Sequence, residues 1–394
     1  MLPSPTAPPP PGPPAPQRTA LVHEWIAARA GAEQVFEVLA GMWPQADLHA
    51  LSAAPGVHLE LGGRRVRTTA LDTAPLRERR ALALPLMPLA WRAHAREVQG
   101  GYDLVVSSHH AFASANRLVA PGGAHLAYVH TPARYVWTPE LDGRGTSPLL
   151  APARAALRAL DRRSAARLTA VAANSREVAR RVERCWHREA VVVHPPVDVD
   201  ALDPALAGPD ELELPAGFLL ALGRFVPYKN HAVAVEVAER LGRPVVLAGA
   251  GPLAAALRER AATARVPVHV LEAPSRAHVR ELLRRASVLL FPAVEDFGIV
   301  PVEAMASGTP VVAPARGGTA DTVVDGRSGA LVEDTRPAAY AEAVARAERC
   351  TPAACREQAR RFDVARFRAE VRAWVAASAP GGAPGGTPGG APWS

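Results

Sequence analysis

The chain has 394 residues, 48% of them hydrophobic and 21% charged, with 45 basic against 38 acidic side chains and a formal net charge of +7. Single cores stop growing near ~250–300 residues, so this length accommodates two. The positive charge admits nucleic acid or an anionic membrane as partners. Zinc-finger spacing and a basic heptad helix are both missing, and aromatics make up only 5%, which argues against a nucleic-acid platform.

In chain order, residues 1–17 are dominated by proline and carry neither a positive start nor an apolar core, so they read as a disordered tail and not a leader peptide. From there apolar runs alternate with helical patterns. Strands are expected near 20–22, 47–50, 66–68, 104–107, 126–129, 168–172 and 191–194. A second set is expected near 218–222, 244–248, 266–271, 288–291, 311–313 and 330–332. This alternation predicts parallel sheets with helices on both faces. The stretch 195–215, rich in Pro and Asp, separates two domains, 18–200 and 201–364. An amphipathic segment at 365–377 and a Gly/Pro tail at 378–394 follow. Three cysteines, Cys185, Cys350 and Cys355, are odd in number and lack metal spacing, which points to a reducing cytoplasm.

One apolar run has two readings. Arg77, Arg79 and Arg80 precede residues 81–91, ALALPLMPLAW. The run is too short to span a bilayer; it suits either an interfacial segment with arginines at the headgroups or a loop and helix start in the core. Asp198-Val199-Asp200 spells a metal-binding D-x-D, but it sits at the domain junction and reads as a capped turn.

The richest segment is 291–314, FPAVEDFGIVPVEAMASGTPVVAP. A strand ends, a loop follows, and a helix begins with Pro301 as its first residue and closes at Gly308. Gly298, Ile299 and Val300 then offer free N–H groups to an anion. Glu295 lies in the loop and Glu303 in the first helical turn. Carboxylates beside an anion site suit a ligand with both phosphate and hydroxyls, such as a nucleotide-sugar. The second feature is a count: among the 45 basic residues there is one lysine, Lys229, in Gly223-Arg224-Phe225-Val226-Pro227-Tyr228-Lys229, straight after a strand. Arginine has replaced lysine everywhere else, so a compact charge on a flexible stem is wanted here.

Glu295, seven residues, then Glu303, in the context FGIVPVEAMASGTPVV, resembles the donor-site signature of family-four retaining glycosyltransferases. The resemblance covers about residues 20–367. It implies an α/β GT-B fold: two Rossmann-like doubly wound domains facing a central cleft, with the last helix returning to the N-terminal domain. It further implies that Glu303 holds the donor ribose, Glu295 contacts the sugar hydroxyls, and Arg224 and Lys229 grip the diphosphate. Gly223, Gly251 of the Gly249-Ala250-Gly251 loop, Glu272 near the base, and Gly31 complete the donor side. Glu272 and Ala30 stand where relatives usually carry glycine.

His23-Glu24-Trp25, Gly31-Ala32-Glu33 and the segment 128–137, YVHTPARYVW, resemble the acceptor side of mannosyltransferases that build lipid-linked polysaccharide and O-antigen chains. His23, Trp25, Glu33, Arg134 and Trp137 are its residues, with His130 near the transferred sugar. The resemblance implies transfer of mannose from GDP-mannose to a lipid-linked saccharide at the cytoplasmic membrane face, without a cofactor or metal. Other readings are a UDP-sugar transferase, a same-fold epimerase, or a non-catalytic nucleotide-sugar-binding protein. Gly249-Ala250-Gly251-Pro252 is only a fragment of a dinucleotide fingerprint, and a pyridoxal enzyme on Lys229 finds no support elsewhere in the chain.

Overall fold

The computed structural model describes residues 17–78, 83–138, 151–206 and 210–378. The bulk of both expected tails, and Arg79, Arg80, Ala81 and Leu82 of the apolar run, lie outside them.

The first sheet holds β1 (Thr19–Ile26), β2 (Asp47–Ala53), β3 (Val66–Thr68), β4 (Tyr102–His109), β5 (Val119–Val129), β6 (Ala170–Ala173) and β7 (Val191–Val192). The second holds β8 (Leu219–Leu222), β9 (Val245–Gly249), β10 (Val268–Glu272), β11 (Val288–Leu290), β12 (Val311–Pro314) and β13 (Gly329–Val332). Strand orders are β3-β2-β1-β4-β5-β6-β7 and β10-β9-β8-β11-β12-β13. Every pairing between these strands is parallel. Two Rossmann-like α/β sheets therefore make up the described chain.

The strands are continuously apolar because both faces are covered. Alternate residues enter separate cores: Leu21 packs with Phe36 and Leu39, while Ala20 and Val22 pack with Trp91 and Tyr102. Likewise Leu220 and Leu222 face one side of the second sheet, and Leu219 and Ala221 the other. The terminal helix Val364–Ser378 buries Phe367, Val371 and Trp374 in the Phe36 core of the first sheet. Their spacing puts all three on one helix face. The two chain crossings run side by side, with Val197 N–H donating to the Phe362 carbonyl at 2.8 Å. Asp198 accepts from Ala201 N–H at 3.2 Å and caps the turn there.

In each sheet the order reverses beside the first strand, at β1/β4 and at β8/β11, and ligands of such sheets bind beyond the carboxyl ends there. That places the ends of His23-Glu24, Ser108–His110, Gly223–Lys229 and Val294–Gly298 around one crevice. The helix after β11 begins earlier than Pro301 suggests, spanning Ile299–Ala306. Gly298, at φ +88°, turns the chain sharply enough to start it there. Pro301 is thus the third helical residue, and Glu303 sits in the second turn, not the first. Of the apolar run, Met87, Ala90 and Trp91 join the core, whereas Leu86 and Leu89 stay 43% and 59% exposed. Both readings of that run keep a share. Among the described residues no helix is long and apolar enough to cross a membrane.

Candidate active site

Lys229 is buried at 8% exposure and its Nζ forms an ion pair with Glu295 Oε1. The lone lysine is therefore no surface remnant. Its ammonium also stands 5.0 Å from the Phe291 ring centroid, on an apolar floor that strengthens any charge interaction above it. Gly223 turns the chain beside it at φ +149°, a conformation that L side chains rarely adopt. Arg224 is exposed, with Nη2 donating to the Tyr228 hydroxyl at 2.6 Å. The two cations thus flank Tyr228 at the end of β8.

The start of the Ile299–Ala306 helix faces the start of the Gly31–Met42 helix across the crevice. A Cβ on Gly31 would come within 2.6 Å of Ile299 Cδ1, so the two domains are nearly in touch here. The first N–H groups of a helix have no carbonyl within it and carry a partial positive charge. Both helix starts therefore present donors where the two domains meet. Glu303, half-buried, lines an interdomain cleft of about 550 Å³ together with Gln34, Arg29, Pro274, Arg276 and Ile299. Burial raises the pKa of its carboxyl, and the Arg276 charge opposes that.

Two of the expected donor residues have partners within their own domain. Glu272 forms an ion pair with Arg258. Gly251, at φ +154°, serves packing: a Cβ there would stand 2.5 Å from the Phe225 carbonyl oxygen. Only glycine permits that approach of two loops.

On the acceptor side, His130 Nε2 and His23 Nδ1 both bond the Ser108 hydroxyl, at 2.8 and 3.1 Å. His23 is fully buried and stacks on Phe36, so it orders the site from beneath instead of lining it. Burial, reinforced by His110, pulls the His23 pKa down to about 3 and that of His130 well below the usual imidazole range. Both are neutral at pH 7. Trp25 packs edge-on against His110, with centroids 4.5 Å apart. Glu33 is buried in the first turn of its helix. Trp137 is turned inward, its indole N–H donating to Asp161 at 2.7 Å. Arg134 reaches across the crevice to Asp296.

Several residues of this site escaped the sequence reading. Glu24 Oε1 accepts the N–H groups of His110, Ala111 and Ala113 at 3.0, 2.8 and 2.8 Å, which shapes the loop after β4. Burial pushes the Glu24 pKa up, but the facing His110 holds it well below the usual carboxylate range. Its place beside His23 in the quoted motif was the available signal. His23, Glu24 and His110 bring metal-ligand atoms within 4.8 Å of one another. One Glu24 oxygen accepts from the loop and the other lies 3.0 Å from His110 Nδ1. Asp296 and Arg181 gave no sequence signal, since their partners lie far along the chain.

Residues 29–201 match the family model for Glycosyltransferase Family 4, and residues 211–362 match that for Glycosyl transferases group 1. Each half of the chain thus resembles a glycosyltransferase domain. A D-inositol 3-phosphate glycosyltransferase of Mycobacteroides abscessus is 35% identical over 166 residues, covering 39% of this chain and 38% of that protein. Its namesake in Streptomyces avermitilis is 38% identical over 194 residues, covering 43% and 42%. The chain thus spans about two fifths of the length of these curated relatives. Among solved structures, Anabaena Alr3699/HepE in complex with UDP-glucose superposes with a TM-score of 0.68 at 17% identity, covering 91% of this chain and 99% of that one. Sucrose-phosphate synthase from Thermosynechococcus elongatus gives 0.68 at 18% identity, covering 91% and 98%. At these identities the likeness is one of fold, the GT-B arrangement of two glycosyltransferase domains.

Proposed function

We propose that the protein is a metal-independent retaining glycosyltransferase that moves a hexose from a nucleotide-sugar, mannose from GDP-mannose first of all, to a lipid-linked saccharide in cell-surface polysaccharide synthesis. The observation that carries this reading is the ion pair of buried Lys229 with Glu295 at the β8/β11 switch point. A diphosphate entering there meets Lys229, Arg224 and the N–H groups of Ile299 and Val300. By drawing Lys229 to itself it frees Glu295 to accept hydrogen bonds from the sugar hydroxyls, while Glu303 takes the ribose diol.

The bond from the sugar's anomeric carbon to the diphosphate oxygen then breaks through an oxocarbenium-like state. The cations and helix starts stabilise the negative charge on the departing oxygen. An acceptor hydroxyl attacks on the same face and passes its proton to that oxygen, so charge and atoms balance without a protein nucleophile or a metal ion. His130, held neutral, meets sugar hydroxyls as a hydrogen-bonding group and adds no positive charge. Leu86 and Leu89, both exposed, suit peripheral contact with a membrane at the cytoplasmic face, where a lipid-linked acceptor would be found.

A UDP-hexose donor is the second reading, favoured by the UDP-glucose in the complex of the HepE structure. A phosphorylated polyol acceptor is the corresponding alternative, from the names of the curated relatives. Incubation with GDP-mannose or UDP-glucose, with and without lipid-linked saccharides and with a chelator added, tests the proposal. Acceptor-dependent glycoside with the donor's anomeric configuration, unaffected by chelation, is the expected product. Release of altered free sugar without acceptor would favour an epimerase, and donor binding without turnover would favour a binding protein.

A further inference from the structure

Asp296 follows Glu295 directly, yet its carboxylate faces the other domain. Arg134 donates to its Oδ2 and Arg181 Nη1 to its Oδ1, the latter at 2.7 Å. Both arginines belong to the His130 side of the crevice. Arg134 opens the short helix Arg134–Trp137 that follows His130-Thr131-Pro132-Ala133. Arg181 Nη1 also donates to the Thr131 hydroxyl at 2.8 Å, one residue from His130. Arg181 is 9% exposed, so its charge is matched by design of the contact and not by water.

A second contact fixes the angle between the domains as well as their separation. Arg176, on the same Arg176–Trp186 helix as Arg181, donates from its backbone N–H and its Nε to Asp321, at 2.6 and 2.7 Å. His194 Nε2 lies 3.5 Å from the same carboxylate. The loops that carry Asp296 and Asp321 are joined, with Gly318 N–H donating to the Glu295 carbonyl at 2.8 Å. A Cβ on Gly318 would clash with Phe297 Cα at 2.1 Å, so that loop pair is closely fitted. One helix of the first domain therefore grips one loop pair of the second at two points.

Resting on the transferase reading above, we propose that Asp296 is a positioning residue: bound by Arg134 and Arg181, it locks the His130 loop to the Glu295 loop and holds the two half-sites in register for transfer. Asp296 touches neither donor nor acceptor in this account; it acts through its neighbours. Asp296 foremost, then Tyr228 and Glu295, raise the Arg134 pKa against burial. Proximity of the reacting groups governs such a reaction, and displacement by about 1 Å can cost 10²-fold in rate.

The test uses the full chain and the variants Asp296→Asn, Asp296→Glu and Arg181→Gln. Asp296→Asn is expected to lower kcat at least tenfold with donor KM within threefold, and to raise the radius of gyration measured by small-angle scattering. Asp296→Glu should restore part of both. Unchanged kcat together with an unchanged radius of gyration in Asp296→Asn would overturn the proposal, as would a loss confined to donor KM. If Asp296→Asn fails to fold, Arg181→Gln carries the same expectation. Scattering needs no turnover, so a wild type inactive with every donor would remove the transferase reading while the clasp is still judged on its own.

Discussion

Lys229 and Glu295 stand face to face beyond the ends of β8 and β11, a buried cation held by a carboxylate. The pair keeps two opposite charges matched in the free protein. It also keeps both available to a ligand bearing phosphate at one end and hydroxyls at the other. Removing one partner leaves the other uncompensated, which is more damaging than removing both.

Replacing Lys229 by Met should therefore lower kcat by roughly 10²–10³, the usual effect of losing one donor aimed at developing negative charge. Lys229→Arg, which keeps the charge but changes its reach, should fall between. Steady-state kinetics with saturating donor would check both. Wild-type kcat in Lys229→Met would remove the lysine from the chemistry.

Glu303→Gln should act on binding. Hydrogen bonds to a charged group are worth about 1.5–3 kcal/mol, so donor KM should rise roughly 10–100-fold while kcat changes little. A fall in kcat at constant KM would mean that Glu303 does not hold the ribose.

The strands were legible in place but not in length: buried parallel strands are written as unbroken apolar runs such as Leu219–Leu222, whereas β1 and β5 run well past the expected 20–22 and 126–129. The start of the helix after β11 was not, since Pro301 is acceptable in any early helical position and only the φ of Gly298 fixes the true start. Lys229, Glu295 and Glu303 were legible as a spaced motif. Arg134–Asp296 and Arg176–Asp321 join positions 162 and 145 residues apart, and pairings of that kind leave no periodic trace. Glu272 and Gly251 were placed by their loops alone; Arg258 and the Phe225 backbone decide what each does.

Gly31→Ala tests the approach of the two helix starts. The added Cβ would meet only the flexible tip of Ile299 and the backbone is unstrained, so thermal stability should change little. Donor affinity should fall, and Gly31→Val should weaken it further. A large loss of melting temperature in Gly31→Ala would show that Gly31 serves the fold and not the ligand.

Asp161 gives a pH dependence. It is fully buried, with Oδ2 accepting from Trp137 and Trp186 at 2.7 Å each. Burial, only partly offset by the two indoles, raises its pKa to about 7. The unfolded chain titrates near 3.9, so the folded state binds this proton more tightly. Its contribution to stability is complete below that value and is lost as pH rises toward 7. Asp161→Asn removes the titration, so the melting temperature of the variant relative to wild type should rise from pH 5 to pH 8. A flat difference would contradict the assignment.

The central claim is that the crevice binds a nucleotide-sugar through Lys229, Glu295 and Glu303. Thermal shift of the full-length protein against GDP, UDP, ADP and their common sugars tests it most directly. A ligand at about 100 times its Kd adds about 2.7 kcal/mol of stability. The account predicts selective stabilisation by one nucleotide and its sugar, GDP and GDP-mannose first, lost in Glu303→Gln. Stabilisation by UDP and its sugars instead would keep the fold and chemistry and change the donor, whereas silence across the whole panel would contradict the account.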